Sequence, residues 1–224
     1  MASSRGAVLF DVDGTLVDSN YLHVVAWMAA FREIGHPVDG ADIHRAIGMG
    51  SAQLLDALLG EKLAAEKGDL AKEEHKVCYR RSFEMLRPFE GARRLLRMVA
   101  RRADVVLATS ASEEEVEALR AALDADDAIG AVTGADDVAA AKPEPDLILV
   151  ALQRAGVGPD RAVFVGDTVW DIEACGQAGV PCVAVLTGGI GAAELRQAGA
   201  IAVYASVADL LEGIDESPLA AVFG

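Results

Sequence analysis

Cysteine is scarce in this sequence and shows no pairing pattern. Cys78, Cys175 and Cys182 form no C-x-x-C pair, and no histidine stands at zinc spacing from any of them. Reduced thiols in a cytosolic chain are the simplest reading. Positive charge is also short: 20 Lys and Arg face 35 Asp and Glu, giving a formal net charge of −15. Duplex binding needs clustered cations that displace counterions from phosphates, so no nucleic acid is expected as a partner. A small anion could bind only through a local cationic device, such as a metal ion with one or two lysines. No apolar run reaches the ~18 residues of a membrane span, and Asp11 and Asp13 arrive before any stretch of signal-peptide length. A cytoplasmic protein with no membrane partner is therefore expected. Phosphate-binding glycine motifs are missing as well. There is no G-x-x-x-x-G-K-[ST] loop, and the cluster at Gly188, Gly189 and Gly191 fails to complete G-x-G-x-x-G because Glu194 takes the last position.

What is present is apolar sequence: 52% of 224 residues, enough for a medium core with a small companion domain. Short β-rich runs recur at residues 7–10, 105–108, 131–133, 162–165, 182–186 and 202–204. Helical patterns lie between most of them, at 92–102, 113–123, 146–155 and 192–198. That alternation predicts an α/β fold with a doubly wound, Rossmann-like parallel sheet, and the lack of polar alternation within the strands suits burial on both faces. Ser112 with Glu115 reads as a capping box, so the acidic run Glu113 to Glu115 is structural.

One stretch breaks the alternation. From about residue 17 to 87 the chain carries helical periodicity and no convincing strand, with apolar faces expected from Leu22, Val25, Ala26 and Ala29, and from Leu54, Leu55, Leu58 and Leu59. An inserted helical cap over 18–87 follows, with the core built from 1–17 and 88–224. Pro88 forces Arg87 into an extended conformation and marks one hinge; the other should lie near Leu16 to Ser19.

Ligands of open parallel sheets bind outside the carboxyl ends of the strands. Asp11 and Asp13 follow the first strand, Thr109 and Ser110 the second, Lys142 the loop after the third, and Asp167 and Asp171 the fourth. Singly, each has a bland reading as turn, cap or surface charge. Gathered at one sheet edge, the carboxylates would repel unless a cation compensated them, and Mg2+ suits such hard oxygen ligands. A calcium loop is excluded, because Gly14 follows Asp13 directly and the twelfth position is Leu22.

Asp11-Val12-Asp13-Gly14-Thr15-Leu16, Thr109, Lys142-Pro143, and Gly166-Asp167-Thr168 with Asp171 resemble, in order, the four motifs of the haloacid dehalogenase-like (HAD) hydrolase superfamily. The insertion resembles the small helical cap of its phosphoglycolate phosphatase and β-phosphoglucomutase-like branch. The resemblance implies a phosphatase in which Asp11 is the nucleophile and forms an aspartyl-phosphate, and Asp13 is the general acid and base. Thr109, Ser110 and Lys142 would hold the phosphoryl group. Mg2+ would sit on Asp11, the backbone carbonyl of Asp13 and Asp167, with Asp171 acting through water. A cap closing over the site implies a small phosphorylated metabolite as substrate. Dehalogenases and phosphonatases of the superfamily lack the second acid, so Asp13 argues against both.

Two alternatives stay open. His23 stands at the offset from Asp13 where β-phosphoglucomutase has a histidine, which keeps a phosphomutase and substrate contact by His23 in view; a packing role shared with Trp27 is the plain reading, and the 48–51 segment lacks the mutase's arginine. A regulatory module that only stores metal and phosphate would have no use for Asp13. Arg45, Lys76, Tyr79 and Arg80 are cap residues that could touch substrate or simply face solvent, and Trp170 is expected to pack.

Overall fold

The computed structural model describes residues 5–138 and 141–224. In chain order its main elements are β1 (Ala7–Phe10), β2 (Val17–Asp18), α1 (Asn20–Glu33), α2 (Gly40–Ala46), α3 (Ser51–Leu59), α4 (Glu61–Arg80), β3 (Arg87–Pro88), α5 (Ala92–Ala100), β4 (Asp104–Ala108), α6 (Glu113–Leu123), β5 (Ala131–Thr133), α7 (Asp146–Ala155), β6 (Ala162–Gly166), α8 (Val169–Ala178), β7 (Cys182–Val185), α9 (Ala192–Ala198), β8 (Ala202–Tyr204) and α10 (Val207–Glu212).

Six strands form one parallel sheet in the order β5-β4-β1-β6-β7-β8. β1 is central: Ala7 pairs with Asp104 on one side and with Ala162 on the other. Its four side chains alternate between two cores, Val8 and Phe10 entering one and Ala7 and Leu9 the other. All four are fully buried, which is why the strand is apolar at every position. The chain runs from β1 to β4 and β5 on one side, then to β6, β7 and β8 on the other. The strand order thus reverses beside β1, and the crevice at such a switch point opens where Asp11 emerges.

The helices α1 to α4 enclose a third cluster containing Trp27, Phe31, Ile43, Leu54, Leu55 and Ala71. The expected α1 face needs correction. Val25 is 64% exposed and Ala29 is exposed, while Val24, Trp27, Ala30 and Phe31 turn inward. Neighbouring apolar pairs, Val24-Val25 and Ala29-Ala30, make two faces locally equivalent; the large rings of Trp27 and Phe31, one turn apart, decide between them. A second correction concerns strands. Val17 pairs with Pro88 and Asp18 with Arg87, antiparallel, so β2 and β3 join the two ends of this helical segment. The two segments expected to be hinges therefore pair with each other in one short ribbon. Among the described residues, no helix is long and apolar enough to cross a membrane.

Candidate active site

The Asp11 amide still donates to Val165 O at 2.9 Å, as if the strand continued, and the chain then turns back, with Leu16 N and Val17 N both donating to Val12 O. Gly14 permits this turn: its φ is +73°, and a Cβ there would stand 2.2 Å from Asn20 Nδ2 and 2.5 Å from Asp167 Oδ2. The turn sets Asp11 and Asp13 side by side at the sheet edge.

Lys142 is 1% exposed and bridges two carboxylates, with Nζ 2.6 Å from Asp11 Oδ1 and 2.7 Å from Asp171 Oδ1. Asp167 accepts from Thr15 Oγ1 at 2.7 Å and from Asn20 Nδ2 at 3.0 Å. Asp171 closes a capping box on α8: its Oδ2 accepts from Thr168 N at 3.0 Å and Thr168 Oγ1 at 2.7 Å, and Thr168 Oγ1 accepts from Asp171 N. Asp13 Oδ1 accepts from Ser19 Oγ at 2.6 Å and lies 3.3 Å from His23 Nε2, while Oδ2 accepts from Thr109 Oγ1 at 3.3 Å. Ser110 Oγ is buried and has no partner among the described residues. A cavity of about 290 Å³ opens over Asp11, Asp13, Thr109 and Ser110 and is roofed by helices α1, α3 and α4.

Charge crowding sets the protonation of this edge. Burial, then the neighbouring Asp171 and Asp13, push the Asp11 carboxyl up to about 7 despite Lys142. Burial, Asp11 and Asp171 raise Asp167 well above the carboxylate range, against the hydrogen bonds from Thr15 and Asn20. Burial alone would lower Lys142, but Asp11 and Asp171 outweigh it and hold the ammonium charged. Burial also opposes ionisation of Asp13, yet the hydrogen bond and charge of His23, with Ser19 and Thr109, hold it below its ordinary value. His23 is raised in return, because Asp13 outweighs its desolvation.

Oxygen atoms of Asp11, Asp167 and Asp171 all lie within 4.8 Å of one another, a donor set of hard ligands with room for one cation. Three buried carboxylates against one lysine lack a positive charge, so the residues fit Mg2+ on their own chemistry.

The model of the haloacid dehalogenase-like hydrolase family matches residues 6–179. This chain belongs to that family. The enzyme is a phosphatase of this HAD type, and its curated relatives agree. It is 31% identical over 188 residues to phosphoglycolate phosphatase of Pseudomonas putida, covering 81% of this chain and 69% of that one. It is 31% identical over 182 residues to a phosphorylated carbohydrates phosphatase of Thermotoga maritima, covering 78% and 82%. Among solved structures, a hydrolase from Pseudomonas syringae superposes with a TM-score of 0.90 at 34% identity, covering 95% of this chain and 99% of that one.

In this HAD hydrolase the seven core residues singled out in the sequence, Asp11, Asp13, Thr109, Ser110, Lys142, Asp167 and Asp171, all meet at one edge. The residues of the helical segment divide. His23 reaches Asp13, and Lys76 lines the cavity. Tyr79 is buried and stacks on His23 at 3.7 Å. Arg45 instead pairs with Glu194 at 2.8 Å beside a separate cavity, and Arg80 pairs with Glu114 at the surface. Trp170 packs there too, its Nε1 donating to Arg45 O at 3.0 Å. Thr15, Ser19, Asn20 and His75 were not anticipated. Thr15 lies inside the first motif and Ser19-Asn20 directly behind it, so proximity in sequence was the available signal; His75 sits mid-helix and offered none. Gly188 also borders the site: a Cβ there would fall 1.7 Å from Asp167 Oδ2.

Proposed function

We propose that this enzyme is a Mg2+-dependent phosphomonoesterase, phosphoglycolate phosphatase-like, acting on a small phosphorylated metabolite through an aspartyl-phosphate on Asp11. The observation that carries the reading is the Lys142 bridge between Asp11 and Asp171, beside Asp167 and facing Asp13. A nucleophile, an acid and a compensated anion site share one edge.

An Asp11 oxygen attacks phosphorus as the bond to the leaving oxygen breaks, and that oxygen takes a proton from Asp13. The proton comes from the Asp13–His23 pair, which holds it mainly on the imidazole at rest. As a carboxylate again, Asp13 takes a proton from a water whose oxygen attacks phosphorus, breaking the bond to Asp11 and releasing inorganic phosphate. Lys142, Thr109 and the unpaired Ser110 hydroxyl hold the phosphoryl oxygens. Asp11, Asp167 and the Asp13 carbonyl would hold Mg2+, with Asp171 reaching it through water, and bound there it would neutralise phosphoryl charge. We also propose that residues 18–87 act as a cap domain that closes the cavity against water.

Hydrolysis of p-nitrophenyl phosphate with Mg2+ and with EDTA tests the reading: activity should vanish with chelator and return with metal. Activity indifferent to metal would overturn it. Ligation also has a pH signature. The raised Asp11 and Asp167 contribute stability that is present below the ordinary carboxylate value near 4 and lost as pH rises through about 7 for Asp11. Mg2+ must displace those protons, so its stabilisation of the fold, read as a melting shift, should be larger at pH 8 than at pH 6. Gly188→Ala should weaken Mg2+ activation about 10–100-fold, since the new methyl displaces Asp167; titrating activity against Mg2+ measures this.

The contact of His23 with Asp13 favours one second reading, the phosphomutase. Conversion of β-glucose 1-phosphate to the 6-phosphate without net phosphate release would establish it over hydrolysis.

A further inference from the structure

His75 lies on α4, in the helical segment, well away in sequence from every motif residue. It is 8% exposed, and its Nε2 stands 3.1 Å from His23 Nδ1, while the other nitrogen of His23 stands 3.3 Å from Asp13 Oδ1. The two imidazoles are tilted by only 10°, with centroids 5.3 Å apart, so the contact runs edge to edge through their nitrogens. Aromatic rings brace both: Trp27 stacks on His75 at 4.1 Å and Tyr79 on His23 at 3.7 Å. The spacing is built in, because His23 and Trp27 are one turn apart on α1, and His75 and Tyr79 one turn apart on α4.

Once its Nε2 proton has passed to Asp13, His23 is a neutral imidazole with two ring orientations and two tautomers, and the partner of its second nitrogen selects among them. We propose that His75 is a positioning residue which, through His23, holds the hydrogen bond that delivers and recovers the proton of Asp13. The proposal rests on the assignment of Asp13 as general acid and base. His23 donates from Nε2 to Asp13 and from Nδ1 to His75, whose Nε2 accepts. Burial agrees, keeping His75 in its neutral, accepting form. A packing role would be met by any flat ring; an imidazole nitrogen aimed at a second imidazole is a polar contact inside an aromatic cage, which costs desolvation unless it is used.

The test compares two substrates of one shape, phenyl phosphate and p-nitrophenyl phosphate. The first has a leaving group that needs protonation and the second one that scarcely does. His75→Phe should lower kcat/KM for phenyl phosphate about 10–100-fold, as loss of an orienting partner does, with little change for p-nitrophenyl phosphate; His75→Gln, which can still accept from His23, should restore most of it. Equal losses on both substrates, or no rescue by glutamine, would overturn the proposal. Asp13→Ala is the control. If it shows no preference for the better leaving group, the acid assignment itself fails; if it does and His75→Phe does not, only the role of His75 fails. Should His75→Phe not fold, the wild-type enzyme decides: a slowly exchanging imidazole proton on His23 Nδ1, seen by 15N-edited NMR, supports the contact, and a free Nδ1 refutes it.

Discussion

Asp11→Asn is expected to abolish turnover, by about four orders of magnitude or more, and to leave the enzyme folded. The amide has the shape of the carboxylate and can still accept from Lys142, which Asp171 also holds at 2.7 Å. What disappears is the oxygen that bonds to phosphorus. Removal of one of three crowded buried carboxylates should also relieve the metal-free protein at alkaline pH, because ionised Asp11, its carboxyl pushed up to about 7, is the form burial penalises. The variant should therefore melt no earlier than wild type in EDTA at pH 8, and should lose much of the Mg2+-induced shift. Phosphate release from p-nitrophenyl phosphate, followed beside thermal melting, measures both. Turnover retained by the variant would refute Asp11 as nucleophile.

Lys142→Met should cost stability and activity together. Its Nζ is 2.6 Å from Asp11 and 2.7 Å from Asp171, all three side chains buried, and the same ammonium lies over the Phe164 ring, 5.4 Å from its centroid. Deleting one member of a buried ion pair strands the other, at about 3–5 kcal/mol. For a chain of this size that corresponds to a melting temperature lower by roughly 10 °C. The deficit should shrink toward pH 5, where the stranded carboxyls take up protons, and should shrink with added Mg2+, which replaces part of the missing charge. Activity should fall about 10²–10³-fold, as it does when one charge-stabilising donor is removed from a transition state, and Mg2+ should not recover it. A variant that melts and turns over like wild type would show that Lys142 only fills space.

Local pattern was enough where a single element settled the matter. β1, β5 and β8 occupy the very residues expected of them, and the β4, β6 and β7 runs differ by one residue at an end, because each is a short apolar run bounded by helical pattern or turn residues. α6 starts at the capping box seen in the sequence. Pattern failed where the answer lay across the chain. β2 and β3 have two residues each and pair over about seventy positions, so neither leaves a periodicity to read. The face of α1 was misjudged because its neighbouring apolar pairs are equivalent until Trp27 and Phe31 meet α4. Ser19, Asn20 and His75 gained roles only from what folding brought beside them.

The place of the candidate site was legible in sequence alone, since each of Asp11, Asp13, Thr109, Lys142 and Asp167 directly follows, or lies on a loop from, a strand whose direction in a parallel sheet dictates where its end must point. The tertiary structure decided the partners: Lys142 between two carboxylates, Asn20 and Thr15 on Asp167, and His23 and His75 of the helical segment in line on Asp13. Strand direction is a local property of the backbone, repeated in every unit of the sheet. Which side chains meet across elements depends on how distant helices pack, and that is settled by the volume and polarity of the whole core at once.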